Sequence, residues 1–166
     1  FVVLDTHAGR GRYALTGGEA LRSGEAAAGV GRLLDIPGGP ETLRTDLDLV
    51  LALGSDRYPG SPWIVRHLAR KQDRLTAVEL HPEDARALET LFAGDVQVRT
   101  IALDGWVALS AFVPPKERRG LVLVDPPFEQ PDEFTTMFDA FAEAYRKWPT
   151  GIYALWYPVK DLVGVD

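Results

Sequence analysis

The chain has 166 residues, a formal net charge of −6 and no cysteine, and 46% of its residues are hydrophobic. This length and composition fit one globular domain, residues 1–166, and the lack of cysteine excludes disulfides and thiolate metal sites. No apolar run approaches the ~20 residues that span a membrane, and nothing resembles a signal peptide. We therefore expect a cytoplasmic protein without a membrane partner, and the acidic balance disfavours binding of nucleic acid by bulk charge alone.

Short apolar runs that end at polar turns recur along the chain, a pattern typical of strands buried on both faces of a parallel sheet. The runs are 1–5, 75–80, 96–102, 121–125 and 151–157. Helical spacing of apolar residues lies between them, in 82–94, 104–115 and 132–148. This alternation predicts an α/β doubly wound sheet. The last helix carries a stripe that we expect to pack in the core: Phe134, Met137, Phe138, Phe141 and Tyr145.

The interval from residue 12 to residue 60 shows no clear strand. Two helix-like segments, 19–36 and 40–54, are separated by the turn sequence PGGP. They predict a small helical insertion after the first strand, at about 14–60, within the single domain. Because residue 1 is Phe and already reads as part of a core strand, we also expect the sequence to be a fragment.

The first strand runs into the sequence DTHAGRGRY, residues 5–13, which has the character of a ligand-binding loop. Gly9 and Gly11 let the backbone approach a nucleotide-like ligand at the carboxyl end of the strand. An Asp before the glycines, without a third glycine, is commoner in methyltransferases that bind S-adenosylmethionine than in dehydrogenases. We count Asp5, His7, Gly9 and Gly11 as cofactor contacts; a glycine turn without a ligand is the alternative.

Polar residues also follow the next strands. Glu79 ends the second strand, where an acid suits ribose hydroxyls, although the dipole of the following helix would also stabilise it. Asp104 follows the third strand and suits the adenine amine of the cofactor, and it would equally cap the next helix. Ser61 before Pro62 has the pattern of a helix N-cap, and the free N–H groups of such a terminus could bind the cofactor's carboxylate.

The fourth strand ends in DPPF, residues 125–128, the signature of amino-group methyltransferases. Asp125 would accept one hydrogen of an exocyclic amine and the carbonyl of Pro126 the other, so that the nitrogen lone pair faces the methyl donor. Pro126 and Pro127 stiffen this backbone, and Phe128 offers a face on which a flipped base can stack. The rate would come from positioning and electrostatics.

Other chemistries fit the sequence less well. The three histidines, His7, His67 and His81, are too scattered for a metal site, so we predict none. No Ser-His-Asp arrangement is evident. A nicotinamide-dependent oxidoreductase agrees with the fold class but leaves DPPF unexplained.

With these residues in place, the whole chain resembles the RlmJ-type family of bacterial 23S rRNA adenine-N6 methyltransferases. The matching phrases are LDTHAGRGRY, YPGSP, ELHPED, DGW, PPKERRGLVLVDPPFE and TGIYALWYP. The resemblance implies a Rossmann-like sheet with strand order 3-2-1-4-5, a helical insertion and S-adenosylmethionine as methyl donor. It further implies, as substrate, the adenine at position 2030 of 23S rRNA, protein-free or early in assembly, and we expect a monomer.

Carried over by position, the resemblance implies that Ser61, Glu79, Asp104 and Gly105 hold the cofactor and that Asp125 holds the target amine. The family has an N-terminal segment that closes over the cofactor, and further strands after the last one here. Without them we expect weak or no activity, because the pocket would lack one wall. Full-strength cofactor binding by this piece alone would refute that expectation.

Three basic residues precede the DPPF strand and are our candidates for an RNA backbone contact: Lys116, Arg118 and Arg119. A solvated loop is the alternative. Two other functions stay open at this point. One is a DNA adenine-N6 methyltransferase, and the other is a non-catalytic nucleic-acid-binding protein linked to the use of external DNA.

Overall fold

A five-stranded parallel sheet forms the centre of the computed structural model, which describes residues 1–15, 41–54 and 57–158. The strands in chain order are β1 (Val2–Asp5), β2 (Arg12–Ala14), β3 (Arg57–Pro59), β4 (Arg74–Glu79), β5 (Val98–Ala102), β6 (Gly120–Val124) and β7 (Ile152–Leu155). The central sheet has the order β5-β4-β1-β6-β7, and all its neighbouring strands are parallel. Each predicted apolar run overlaps one strand of this sheet. The predicted α/β doubly wound sheet, with strand order 3-2-1-4-5, is confirmed.

Helices connect the strands at the predicted places. Those of the described residues are α1 (Arg44–Leu53), which follows a 3-10 turn (Glu41–Leu43), α2 (Ser61–Leu68), α3 (Pro82–Leu91), α4 (Gly105–Phe112) and α5 (Glu133–Lys147). Helix α3 starts with a proline and has two acids in its first turn, both of which favour a helix N-terminus. None of the helices in the described ranges is long and apolar enough to cross a membrane.

The sheet separates two hydrophobic cores, because successive side chains of a strand alternate between its faces. Leu4 and Val124 pack with Met137 in the core that includes residues of α4 and α5. Val3 packs with Leu88 in the core that includes α3. Strand β1 thus has apolar contacts on both faces, and the loop that follows it begins at the centre of the sheet.

A short antiparallel ribbon lies where no strand was expected. Strands β2 and β3 pair with Tyr13 opposite Tyr58, so the expectation of a strand-free interval is wrong at both its ends. Three-residue strands are too short for an alternating pattern to mark them in sequence. Helix α1 agrees with the segment predicted at 40–54, whereas the segment predicted at 19–36 lies outside the described residues. The single domain and its helical insertion stay predictions.

The aromatic stripe of α5 is only partly buried. Met137 is fully buried, but Phe134, Phe138 and Tyr145 are 37%, 46% and 48% exposed. The prediction that the stripe packs in the core is therefore wrong for these three residues. Helical periodicity identifies an apolar face, but it does not reveal how much of that face a neighbouring element covers.

Candidate active site at the carboxyl ends of the strands

The polar residues predicted from sequence gather at one edge of the sheet. Asp5 and Glu79 are the last residues of β1 and β4, and Asp125 directly follows β6. Asp104 follows β5 and caps α4. Parallel strands place all their carboxyl ends at the same edge, so these acids surround one region, as in other open α/β sheets.

Asp5 is the most deeply buried acid of this region. It is 1% exposed, and its Oδ2 atom accepts a hydrogen bond from the hydroxyl of Ser61 at 2.6 Å. Among residues 1–15, 41–54 and 57–158, none donates a hydrogen bond to its buried Oδ1 atom. The pKa of Asp5 is raised to about 7, chiefly by burial. The hydrogen bond from Ser61 lowers it, and the nearby charges of Asp125 and Glu79 contribute to the rise. A buried carboxylate oxygen without a donor suits a ligand that brings an N–H group or a positive charge.

Ser61 lies beside Asp5 but does not cap a helix. Gly60 occupies the N-cap position and its carbonyl accepts from the backbone N–H groups of Trp63 and Ile64, while Ser61 is the first helical residue. The predicted capping role is therefore wrong. The hydroxyl instead donates to Asp5, a tertiary partner that the local Ser-Pro pattern could not reveal.

Glu79 fixes the glycine loop that follows β1. Its two carboxylate oxygens accept the backbone N–H groups of Gly9 and His81, both at 2.7 Å. Gly9 and Gly11 have φ angles of +58° and +75°, a region in which glycine alone is unstrained. The loop thus turns sharply between β1 and the ribbon, with the carboxylate of Glu79 at its base.

His7 lies close to Asp104 and Gly105, the residues at the start of α4. Asp104 caps α4 through hydrogen bonds from the backbone N–H groups of Trp106 and Val107, each 2.9 Å long, which confirms the predicted cap. A side chain at Gly105 would collide with the carbonyl of Thr6 and the ring of His7. Burial lowers the pKa of His7 to about 4, so its imidazole is neutral near neutral pH.

The DPPF segment follows β6 and precedes helix α5. Asp125 is exposed as a whole and Pro126 is buried. Partial burial of the Asp125 carboxyl group raises its pKa above the ordinary aspartate value. Phe128 is half-buried, with a φ angle of +53° that is unusual for a residue other than glycine. The acid therefore faces solvent at the site edge, on a backbone that buried Pro126 anchors.

Tyr13 is a site residue that the sequence reasoning missed. Its hydroxyl lies where a side chain at Gly9 would point, and its ring is next to Gly60, so both glycines make room for it. Burial raises the pKa of Tyr13, and the charges of Asp84, Glu79 and Asp5 add to that rise. The signal in the sequence was a large aromatic two residues after the second of two closely spaced glycines.

With this geometry in view, comparisons with known proteins identify the family. The model of the family described as "Ribosomal RNA large subunit methyltransferase D, RlmJ" matches residues 1–166. The chain belongs to this family. The resemblance inferred from the sequence motifs is thereby confirmed.

Curated relatives and a solved structure agree with this assignment. Proteins named "Ribosomal RNA large subunit methyltransferase J" from Escherichia coli K12 and Haemophilus influenzae are each 42% identical over 163 and 164 residues. The alignments cover 96% of this chain and 58% of each relative, so the chain spans little more than half of their length. A crystal structure of protein LPL1258 from Legionella pneumophila superposes with a TM-score of 0.88 at 33% identity, covering 95% of this chain and 60% of that one.

The basic residues predicted to contact RNA lie away from the candidate site. Lys116, Arg118 and Arg119 are exposed, in the loop that immediately precedes β6, whereas Asp125 follows that strand. At about 3.3 Å per residue, a strand of this length separates the loop from Asp125 by roughly 17 Å. The fold does not bring these cations together with the acid, so any RNA they contact would lie at the opposite edge of the sheet.

Proposed function

We propose that this protein transfers a methyl group from S-adenosylmethionine to the N6 amine of an adenine in 23S rRNA, the adenine at position 2030. The observation that carries the proposal is that four acids lie together at the carboxyl ends of the strands: Asp5, Glu79, Asp104 and Asp125. The DPPF sequence directly follows β6 at the same place. The names of the curated relatives support the substrate class. We further propose a cytoplasmic monomer that acts on protein-free or early-assembling RNA.

The charge of the site supports this cofactor over a nicotinamide dinucleotide. Several carboxylates lie here, and one buried oxygen receives no hydrogen bond from the part of the chain that the structure describes. They favour the sulfonium and ammonium groups of S-adenosylmethionine. The pyrophosphate of a dinucleotide would be repelled by the same acids. Bound there, the cofactor would supply an electrophilic methyl group. The residues that would hold it are Asp5, His7, Gly9, Gly11, Ser61, Glu79, Asp104, Gly105 and Asp125.

The DPPF segment would position the nucleophile. An exocyclic adenine amine is a weak nucleophile because its lone pair is delocalised into the ring. Asp125 would accept one of its hydrogens and the carbonyl of Pro126 the other, which turns the lone pair towards the methyl group. Pro127 stiffens the backbone, and Phe128 offers a stacking face to the flipped base. A negative charge beside the amine also stabilises the positive charge that develops on nitrogen.

The decisive experiment is transfer of a labelled methyl group in the natural polypeptide that contains residues 1–166. Protein-free 23S rRNA, assembled large subunits and duplex DNA are offered in parallel, and digested nucleosides are separated to find N6-methyladenosine. We expect label in the rRNA and none in DNA. Label in DNA alone would overturn the RNA substrate, and cofactor binding without transfer to any of them would favour a non-catalytic role.

The basic loop before β6 gives a second prediction. If Lys116, Arg118 and Arg119 contact phosphates, the triple alanine variant should bind rRNA more weakly, and the slope of log affinity against log salt should fall by about three. The turnover rate at saturating RNA should not change, because the loop is distant from Asp125. Fluorescence anisotropy at several salt concentrations measures the slope. An unchanged slope would identify the loop as merely solvated.

A further inference from the structure

Trp156 lies beside the acid of the DPPF segment. In the pairing of β6 with β7, Val124 is opposite Leu155, and the backbone N–H of Trp156 donates to the carbonyl of Val124 at 2.9 Å. One residue beyond each strand, Trp156 and Asp125 are therefore neighbours at the carboxyl edge of the sheet. Neither the DPPF motif nor the predicted cofactor contacts include this tryptophan.

The indole of Trp156 is 57% exposed, although it is one of the largest apolar side chains. Its neighbours Tyr153 and Leu155 pack against the core that contains α4 and α5, and the alternation of side chains places Trp156 on the other face of the strand. Within the described ranges, the side chain that stacks nearest to it is Phe128. The exposed indole is thus available at the place where a substrate would meet Asp125.

Phe128 is held in an unfavourable backbone conformation next to this tryptophan. Its φ angle of +53° lies in the left-handed region, which is strained for a residue with a Cβ atom. Its ring meets the indole edge-to-face, with the ring centres 6.3 Å apart and the planes at 61°. Strain of this kind is typical of functional sites. The two rings form an aromatic corner, Phe128–Trp156, that opens beside Asp125.

A flat heteroaromatic base fits such a corner. Bases stack on aromatic side chains. The two-ring indole offers a two-ring purine a larger area of overlap than it offers a one-ring pyrimidine. We propose that Trp156 is a specificity-determining residue: its indole packs on the extruded adenine as a second aromatic surface beside the stacking face of Phe128, while Asp125 accepts the amine hydrogen. This inference rests on the proposed function and adds a second aromatic wall to its site.

The test compares Trp156→Ala and Trp156→Phe with Phe138→Ala in the natural polypeptide that contains residues 1–166. Phe138 is an exposed aromatic of α5, stacked on Phe134, and serves as a matched control. We expect Trp156→Ala to lower kcat/KM for rRNA by about 10- to 100-fold, in line with the loss of one stacking contact. Trp156→Phe should retain most of the wild-type kcat/KM, and Phe138→Ala should behave as wild type. Calorimetry should show unchanged affinity for S-adenosylmethionine in all variants.

A binding measurement separates this inference from the proposed function, because it needs no turnover. Short homopolymeric RNAs of adenosine and uridine are titrated against each variant. Wild type should prefer adenosine and Trp156→Ala should lose that preference, whether or not methylation is detected. The inference fails if Trp156→Ala keeps the preference, or if its cofactor affinity falls in parallel with its RNA affinity, which would indicate a structural role. If wild type methylates no RNA while the preference follows Trp156, the proposed reaction fails instead.

Discussion

Replacing Asp125 with Asn is expected to slow methyl transfer by about two to three orders of magnitude, with cofactor affinity within a few-fold of wild type. Asn has nearly the same shape, so the backbone of the DPPF segment should persist. It lacks the charge that orients the amine and stabilises the positive nitrogen of the transition state. Single-turnover rates with labelled S-adenosylmethionine measure the chemical step, and calorimetry measures the binding.

The pH profile gives the same substitution a second readout. Partial burial of the carboxyl group raises the pKa of Asp125. The ionised carboxylate accepts the amine hydrogen more strongly than the protonated acid does, and it alone carries the charge that stabilises the positive nitrogen. Activity should therefore fall, as the pH is lowered, at a higher pH than an ordinary aspartate would require. The residual activity of Asp125→Asn should lack this acid limb, because an amide does not titrate there.

Asp139→Asn is the matched control, since Asp139 is an exposed carboxylate of α5 outside the site. It should leave the rate and the pH profile unchanged. The assigned role of Asp125 is wrong if Asp125→Asn transfers methyl groups at the wild-type rate. The assigned role is incomplete if the cofactor affinity of Asp125→Asn falls as much as its rate does, because Asp125 would then act mainly by holding the cofactor.

The sequence predicted the features that depend on neighbouring residues in the chain and on buried strands. Continuous apolar runs marked the five strands of the central sheet, because a parallel sheet buries both faces of each strand. The cap at Asp104 was predicted because an N-cap depends on residues next to it in sequence. The positions of Glu79 and Asp125 followed from the strands, since a residue at a carboxyl end lies at a known edge.

The remaining features depend on contacts between distant parts of the chain. Ser61 has the sequence pattern of a cap, but its hydroxyl donates to Asp5, which is remote in sequence. The pairing of Tyr13 with Tyr58 joins two short strands across a long interval that no local pattern marks. That Trp156 and Asp125 are neighbours likewise follows only from the register of β6 and β7, which the sequence does not reveal. Sequence located the acids of the site, but not the side chains that position them.

Replacing Asp5 with Asn is expected to make the free protein more stable above neutral pH, by an amount on the order of a few kcal/mol. Burial raises the pKa of Asp5 from 3.8 in the unfolded chain to about 7 in the folded protein. Between these values the folded state binds more protons, so the stability of the wild type falls as the pH rises from about 4 to about 7. The amide does not titrate, and the variant should lack this loss.

Denaturant unfolding of the free protein at a series of pH values between 4 and 8 measures the effect. Wild type and Asp5→Asn should have similar stability at the acid end and diverge as the pH rises. Ser61→Ala is the informative companion, because it removes the hydroxyl that lowers the pKa of Asp5. Its loss of stability should extend to higher pH than that of the wild type.

Binding of S-adenosylmethionine should reverse this dependence, because a cationic ligand favours the ionised form of Asp5. The affinity of the wild type should therefore increase as the pH rises through about 7, and that of Asp5→Asn should not. Parallel stability curves for the two proteins would show that Asp5 does not titrate in this window. Equal pH dependence of their affinities would mean that the unpartnered Oδ1 atom does not face the cofactor.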